Sequence, residues 1–328
     1  AAPGGLTVAE FNANRWANSR PENRFEGFRG LVDMVWHMPS GDDWVEAFAA
    51  ASVTERNLYA RSGVGGSSVL DDWHDQTYFA NVGVRGEKGV RLGDTKHILH
   101  GGMRAHREWL PSYSIRTASF GGTSFVPTTD SSFRMLSLSA HLDDTFSPTD
   151  NLNVTAGARM EWIPSTSGND SVSGFTYEDQ YFDVLPALGL SYELGENAAL
   201  FMNYGEGFRA PQFWGFAYTA NPADALKFES GRSTEAGLRL RDLGGFSGSV
   251  AAWRLDFDDY LVFDTGFYEN VGKIESNGID LSVDYDVSHI ARSLDGLHFT
   301  TSLTLQNAEL KTGVDAGNDV PYAWDTKA

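Results

Sequence analysis

Apolar and polar side chains alternate along most of this 328-residue chain, and this alternation constrains its fold more than any other feature. In the segment 151–162, every even-numbered residue from Leu152 to Trp162 is apolar, whereas the odd-numbered residues are polar or small. Successive side chains of a β-strand point to opposite faces, so a period of two indicates strands with one apolar face. We therefore predict an all-β, antiparallel fold with twelve strands, near residues 25–38, 44–56, 76–87, 96–108, 132–146, 151–162, 182–194, 198–208, 232–241, 246–257, 273–287 and 297–308.

The connections between the predicted strands alternate in length. Short turns are expected at 39–43, 147–150, 195–197 and 242–245, and long loops at 57–75, 109–131, 163–181, 209–231 and 258–272. Outer-membrane barrels have this asymmetry, because every second connection lies at the same rim. Interfacial aromatic residues of such a barrel are expected at Trp36, Trp44, Trp109, Trp162 and Phe208. A soluble β-sandwich or propeller, which would pack the same aromatic residues internally, is the alternative.

The alternation also predicts which side chains face lipid. Between residues 251 and 257, we assign Trp253 and Leu255 to the lipid side, and Arg254 and Asp256 to the lumen. An Arg at the bilayer midplane costs roughly 2–4 kcal/mol, so the register of such a strand is expected to be firm.

Composition excludes several classes of protein. No apolar run approaches the ~18 residues of a membrane-spanning helix. The net charge of −19 argues against nucleic acid as a partner, and the absence of cysteine excludes disulfides and thiolate metal sites. No hydrolase, zinc-protease or P-loop motif is present, so we predict neither an enzyme nor a covalently bound cofactor. His97 and His100 are three residues apart on a predicted strand and cannot share a metal, so all eight histidines are interpreted as structural or surface groups.

Five motifs occur in order in the second half of the chain. They are NVTAGAR (153–159), YGEGFRAPQF (204–213), KFESGRSTEAGLR (227–239), ENVGKIESNGIDL (269–281) and GNDVPYAW (317–324). Together they resemble the motifs of TonB-dependent outer-membrane receptors. The positions that match the family pattern are Tyr204, Gly207, Phe208, Arg209, Pro211, Glu229, Glu235, Gly237, Asn270, Gly272 and Gly278.

This resemblance implies a transmembrane barrel of about 22 strands in the Gram-negative outer membrane, surrounded by lipid. Residues 1–328 would supply about twelve strands of that barrel, with the plug domain and the last strands outside this sequence. The implied function is import of a ferric siderophore, driven by the TonB–ExbB–ExbD complex through the plug. The transported ligand would be a ferric chelate.

The segments PQFWGF, FDDY, GKIESNGIDL and LQNAELKTG are similar to those of ferric-citrate-type receptors. Other nutrients remain alternatives within the family: cobalamin, haem or carbohydrate. Haem is disfavoured, because no histidine lies between Arg209 and Gly231. A passive porin, an autotransporter-type barrel and a soluble adhesin or lectin are the alternatives outside it.

A negatively charged ferric chelate needs cationic donors, and Arg suits carboxylates because its guanidinium binds them in two places. The ligand-binding candidates are Arg104, Arg107, Arg116, Arg209 and Gln212, and Arg56 and Arg61 also lie at ends of long loops. Gln212 falls in a segment that resembles one supplying a polar ligand contact in ferric-citrate receptors. The competing interpretation of each Arg is an ion pair with a neighbouring acidic residue.

Overall fold

The structure is a computed structural model. It describes residues 12–14, 20, 22–62, 69–210, 226–264, 267–270, 272–313, 316–320 and 326–327.

The described residues form an antiparallel meander in which each long strand pairs with the next one along the chain. The strands are β1 (Arg24–Ser40), β2 (Asp43–Ser62), β3 (Val69–Leu92), β4 (Thr95–Ser119), β5 (Val126–Thr149), β6 (Leu152–Asp170), β7 (Thr176–Glu193), β8 (Ala198–Arg209), β9 (Glu229–Leu243), β10 (Phe246–Asp258), β11 (Leu261–Asp264), β12 (Phe267–Asn270), β13 (Ile274–Asp286), β14 (His298–Leu310) and β15 (Thr326–Lys327). The short β11–β12 hairpin lies outside the main sheet, so β10 pairs with β13. All twelve predicted strands are confirmed.

Every second connection lies at the same end of the sheet. We call the end with the turns 41–42, 93–94, 150–151, 194–197, 244–245 and 287–297 the short-turn rim, and the opposite end the long-loop rim. In the described part of the chain, no helix combines the length and the apolar character needed to cross a membrane.

One face of the sheet carries exposed apolar side chains over a limited height, and we call it the apolar face. On β1 this face runs from Phe28 to Trp36, both largely exposed. The eight steps between these residues, at ~3.3 Å each, span about 26 Å along the strand, or about 20 Å of height at a tilt of roughly 40°, which fits within the ~25 Å apolar band of an outer-membrane barrel. Exposed Trp109 and Trp162 border the same face towards the long-loop rim, and the ring of Trp109 stacks on Tyr78 with centroids 4.4 Å apart.

The opposite, polar face is lined by charged, hydroxyl and amide side chains such as Glu46, Arg85, Ser139 and Asn203. Near the long-loop rim, however, this face carries a buried apolar cluster. The cluster contains Leu110, Tyr113, Ile115, Phe133, Phe175, Tyr177 and Leu226, with Trp73, Met135 and Leu261 packed against it. Leu226 and Leu261 belong to connections rather than to the long strands, so the cluster ties these connections to the inside of the sheet.

The prediction of long loops at 57–75, 109–131 and 163–181 was wrong, because most of these residues continue the strands. The connections shrink to residues 63–68, 120–125 and 171–175. In the extended parts, polar side chains pair across neighbouring strands, as in the ion pair between Arg56 and Asp75. The backbone ladder therefore continues where the apolar alternation has stopped.

The tip between β6 and β7 is held by Asp170. Its carboxylate accepts hydrogen bonds from the backbone N–H groups of Asp130 (2.9 Å) and Ser173 (2.7 Å) and from the hydroxyl of Ser131 (2.7 Å). Burial raises the pKa of this carboxyl, but the hydrogen bonds from Ser131, Ser173 and Asp130 outweigh it and leave the pKa of Asp170 below its usual value.

The facing predicted for β10 was also wrong. Val250 is 42% exposed and lies in register with exposed Leu281 on the apolar face, whereas Ala251 is 5% exposed. The register runs unbroken from there to Arg254, which shares the parity of Val250 and therefore lies on the apolar face. Arg254 pairs there with Asp256 (2.8 Å) and Glu275 (2.6 Å), next to the long-loop rim.

Candidate functional site

The candidate site is a cavity on the polar face where β8, β9 and β10 approach the long-loop rim. Its volume is about 670 Å³. Strands β9 and β10 line it through Ser233 and Leu255, and Phe257 and Tyr260 add aromatic walls. Arg209, the last residue of β8, supplies a cation. The cavity therefore combines aromatic surface with one guanidinium group at the end of the barrel wall that carries the long loops.

Arg209 is held by a buried acid. It lies directly opposite Glu229 in the β8–β9 register, and its guanidinium donates to that carboxylate at 2.6 Å. The Glu229 side chain is 4% exposed, whereas that of Arg209 is 55% exposed. Glu229 also accepts the backbone N–H of Leu261, and the Arg209 guanidinium lies 5.7 Å from the centroid of the Tyr260 ring. The anchored cation is thus open to solvent and flanked by an aromatic ring.

A second cavity of similar volume, about 670 Å³, opens between β7 and β8. The two strands pair only from Ala187–Gly205 towards the short-turn rim. The residue before Ala187 is Pro186, which has no N–H to donate to a ladder. Towards the long-loop rim the strands therefore separate, and Tyr181 reaches across to stack on Phe208 with ring centroids 4.8 Å apart.

Arg159, which lines this second cavity, is paired with a buried carboxylate. Glu161 of β6 is fully buried, pairs with Arg159 on the same strand and accepts the Ser137 hydroxyl at 3.2 Å. On β7, the hydroxyl of Tyr181 donates to Asp183 at 2.8 Å. These bonds fix the polar side chains of the wall in place.

Further towards the long-loop rim, the same pattern occurs at Tyr177, whose hydroxyl donates to Asp179 at 3.2 Å. Burial and then the Asp179 carboxylate raise the pKa of Tyr177. This phenol therefore stays protonated and acts as a hydrogen-bond donor.

The matched asparagine of the fourth motif joins two connections. Asn270 donates its side-chain N–H to the backbone carbonyl oxygens of Lys227 (3.3 Å) and Asp259 (2.5 Å), and its side-chain oxygen accepts the N–H of Lys227 at 2.9 Å. The N–H of Tyr260 bonds the carbonyl of Gly272 at 3.0 Å. Asn270 therefore fixes the segment that carries Tyr260 over the site.

Two of the matched glycines have a packing reason. A Cβ at Gly237 would lie 2.7 Å from the Phe201 ring, and one at Gly278 would lie 2.6 Å from the Trp253 ring. Each position leaves room for an aromatic ring lying flat on a neighbouring strand. Gly272 has a φ of +94°, a conformation that other residues rarely adopt, whereas nothing lies within 4 Å of a Cβ built at Gly207.

Other matched residues make short contacts along and across strands. The Tyr204 hydroxyl donates to Glu206 on the same strand, and Glu235 accepts a hydrogen bond from Asn203 at 3.2 Å. Phe208 takes part in an aromatic stack with Tyr181, which itself stacks on Phe228 with centroids 4.6 Å apart. Sequence reasoning did not predict this stack, because it joins segments that are distant in the sequence.

The structure does not bring the predicted ligand-binding arginines together. Arg104 lies on the polar face, in register with Gly83 and Ser139, and Arg209 lines the site. Arg107 lies on the apolar face, because it is exposed and in register with Leu136.

Three further arginines near the long-loop rim have acidic partners. Arg116 pairs with Asp72, Arg56 with Asp75, and Arg61 with Glu22 at 2.9 Å. Gln212 and Pro211 lie outside the described residues.

Six of the eight histidines contact carboxylates. His97 of β4 lies 2.7 Å from Asp144, and His100 lies 3.0 Å from both Asp143 and Glu87. Across the part of the chain that the structure describes, no group of three or more His, Asp or Glu side chains could hold a metal ion.

A meander with a one-sided apolar band, one rim of short turns and a polar inner face is the wall of an outer-membrane-type β-barrel. The chain belongs to the family described as "TonB dependent receptor-like, beta-barrel", whose model matches residues 3–325. Barrels of this family are receptors of the Gram-negative outer membrane, not enzymes. The family match favours a receptor over a passive porin, an autotransporter-type barrel or a soluble β-protein.

Similar proteins include a ferric-pyoverdine BN7/BN8 receptor of Pseudomonas putida, 24% identical over 200 residues, which cover 58% of this chain and 24% of that receptor. The solved structure of the ferric citrate transporter FecA in its unliganded form superposes with a TM-score of 0.86 at 23% identity, covering 99% of this chain and 49% of FecA. The ferric yersiniabactin uptake receptor FyuA from Yersinia pestis gives a TM-score of 0.72 at 16% identity, and the superposition covers 94% of this chain and 47% of FyuA. The chain thus spans about a quarter of the curated relative and about half of each of these structures.

Proposed function

We propose that this chain forms part of the barrel of an outer-membrane receptor that imports a ferric siderophore. The observation that carries the proposal is the polar-face cavity at the long-loop rim, where Arg209 is anchored by Glu229 and left open beside Tyr260. A pre-positioned guanidinium suits the carboxylate or hydroxamate oxygens of an iron chelate. Import would be driven by the TonB–ExbB–ExbD complex acting through a plug domain.

Within this class, ferric citrate is the ligand we propose. Two features support it: the segments that resemble ferric-citrate-type receptors, and the TM-score of 0.86 with FecA against 0.67 to 0.72 for the receptors of other siderophores. We propose Arg209 and Arg104 as ligand contacts, because both lie on the polar face, and we retain Gln212 from the sequence. Ferric pyoverdine is the second candidate, since the Pseudomonas putida receptor of that ligand is 24% identical over 200 residues.

The test is binding of radiolabelled ferric citrate to the full-length protein in detergent, with ferric pyoverdine, a ferric hydroxamate, haem and cobalamin as competitors. Arg209→Ala combined with Glu229→Gln removes the cation without leaving an unpaired carboxylate, and Arg104→Ala removes the second cation. Loss of one charge-assisted hydrogen bond, worth about 1.5–3 kcal/mol, predicts roughly 10- to 100-fold weaker binding.

The matched control is Arg107→Ala, because Arg107 lies three residues from Arg104 on the opposite face. Its affinity for the chelate should equal that of the unmodified protein. If no iron chelate binds tightly, the iron proposal fails. If another chelate displaces ferric citrate at much lower concentration, the citrate assignment fails and the receptor proposal stands.

A further inference from the structure

The connection between β13 and β14 differs from the other turns at the short-turn rim. It runs through residues 287–297 and contains two 3₁₀ turns, Val287–His289 and Arg292–Leu294. The remaining turns at this rim are two to four residues long and consist mainly of Gly, Asp and Asn. Eleven residues with repeated 3₁₀ structure are more than a hairpin needs, so this connection has a surface of its own.

Hydrogen bonds hold this connection in one conformation. The Asp286 side chain caps the first turn by accepting the N–H of Ser288 at 2.9 Å, and its own N–H bonds the carbonyl of Gly245 in the neighbouring turn at 2.9 Å. The N–H of Val287 bonds the carbonyl of Leu297 at 3.0 Å and closes the connection. The backbone at both ends of the connection is therefore ordered.

Beside the polar side chains of His289, Ser293 and Asp295, this connection exposes three large apolar ones. Ile290 is 71% exposed, and Leu294 and Leu297 are also exposed. Three large aliphatic side chains on one ordered eleven-residue segment are costly to leave in water.

The connection begins and ends next to an aromatic row on the apolar face. Phe246, Tyr285 and Phe299 lie side by side on β10, β13 and β14, because Tyr285 is in register with both neighbours. The rings of Phe246 and Tyr285 are 4.3 Å apart, and Phe299 is 72% exposed. Aromatic residues at this position form the girdle where a barrel leaves the hydrocarbon region.

We infer that the β13–β14 connection inserts Ile290, Leu294 and Leu297 into the interfacial region of the phospholipid leaflet at the short-turn rim. This inference rests on the membrane location in the proposed function. Its occupant is lipid because the connection begins two residues after Tyr285 and ends two residues before Phe299, so it adjoins the lipid-facing surface at the aromatic row. The connection acts as an anchor that fixes the height of this side of the barrel in the membrane.

Single spin labels test the inference, since residues 1–328 contain no cysteine. Ile290→Cys and Leu294→Cys are labelled in the full-length, otherwise cysteine-free protein reconstituted in phospholipid vesicles. Ile279→Cys, in the middle of the apolar face, is the lipid control, and Glu196→Cys, in the polar turn between β7 and β8, is the water control. Collision with oxygen and with a water-soluble nickel complex is measured at each site.

We expect the oxygen-to-nickel accessibility ratio at 290 and 294 to exceed that at 196 by several-fold and to approach that at 279. A ratio equal to that at 196 would overturn the anchor while leaving the barrel in the membrane. Exclusion of both reagents at 290 would show that protein, not lipid, covers the connection, and would overturn the inference equally. A label at 279 that is open to nickel would refute the membrane placement itself, so the two failures can be told apart.

Discussion

Arg209→Ala is expected to destabilise the candidate site, because it leaves the Glu229 carboxylate buried without its cation. Removing one partner of a fully buried ion pair costs about 3–5 kcal/mol, and an exposed pair contributes about 0–1 kcal/mol. This pair is intermediate, since Glu229 is 4% exposed, Arg209 is 55% exposed, and the N–H of Leu261 still bonds the carboxylate. We therefore expect a loss of about 2 kcal/mol in the local free energy of unfolding.

Glu229→Gln should cost less, about 1 kcal/mol, because the amide oxygen can still accept the N–H of Leu261. In the double variant the buried group is neutral and no longer needs the guanidinium. The double variant should then lose about 1–2 kcal/mol less than the sum of the two single variants.

Hydrogen exchange followed by mass spectrometry measures this free energy at peptides covering Leu261, and thermal unfolding in detergent gives the global value. The matched control is Arg116→Ala, because Arg116 is about as exposed as Arg209, but its partner Asp72 is 19% exposed whereas Glu229 is 4% exposed. Its effect should stay below about 1 kcal/mol. Additive single effects at Arg209 and Glu229, within about 0.5 kcal/mol, would refute the coupling, as would equal effects of Arg209→Ala and Arg116→Ala.

Three further substitutions test the packing and capping described above. Asp170→Ala should speed hydrogen exchange at the tip 171–175 by roughly tenfold or more, because it removes a charged hydrogen-bond acceptor worth about 1.5–3 kcal/mol. Unchanged exchange would show that Asp170 does not hold the tip. Because the pKa of Asp170 is lowered on folding, the stabilisation by this carboxylate is complete above the ordinary Asp pKa of about 3.9. It disappears as the pH falls through the lowered pKa. A pH-dependent protection from exchange that persists in the Ala variant would refute the assignment to Asp170. Gly237→Ala should lower the free energy of unfolding by about 1–3 kcal/mol, because the added Cβ overpacks against the Phe201 ring. Gly205→Ala is the control, because nothing lies within 4 Å of a Cβ built at Gly205, and its effect should be much smaller. Equal melting temperatures of the two variants would argue against the contact with Phe201. Asn270→Ala should increase proteolysis between β10 and β13 while leaving the rest of the barrel resistant, and uniform resistance would show that the side chain does not fix this segment.

The strands and their order could be predicted from the sequence, because period-two alternation follows directly from burying one face. Strand ends towards the long-loop rim could not. β4 continues to Ser119, eleven residues past the predicted end, since cross-strand hydrogen bonding does not require an apolar face. Register shifts also prevent a correct prediction of which face a residue lies on. Between Leu110 and Tyr113 such a shift changes which side of the sheet the odd-numbered residues face, so both residues enter the buried cluster.

Facing and cross-strand contacts explain the remaining errors at the site. The period-two alternation places Arg254 and Trp253 on opposite faces but does not say which of them faces lipid. A charged side chain is tolerated on the apolar face where that face reaches the long-loop rim. Arg104 and Arg107 are three residues apart on one strand and therefore face opposite sides of the sheet, which could have been predicted from the sequence. The pairing of Arg209 with Glu229 was not, because it depends on the register between two strands joined by a long connection.

The unequal lengths of the strands determine from which side a large object can reach the site. β4 has 25 residues and β10 has 13, so they span roughly 80 Å and 43 Å from the same rim at ~3.3 Å per residue. With a strand tilt of roughly 40°, the wall around β4 stands about 30 Å taller than the wall around β10. A small chelate can diffuse in from any direction, but a bulky protein that approaches over the described strands meets a much lower wall at β10 than at β4.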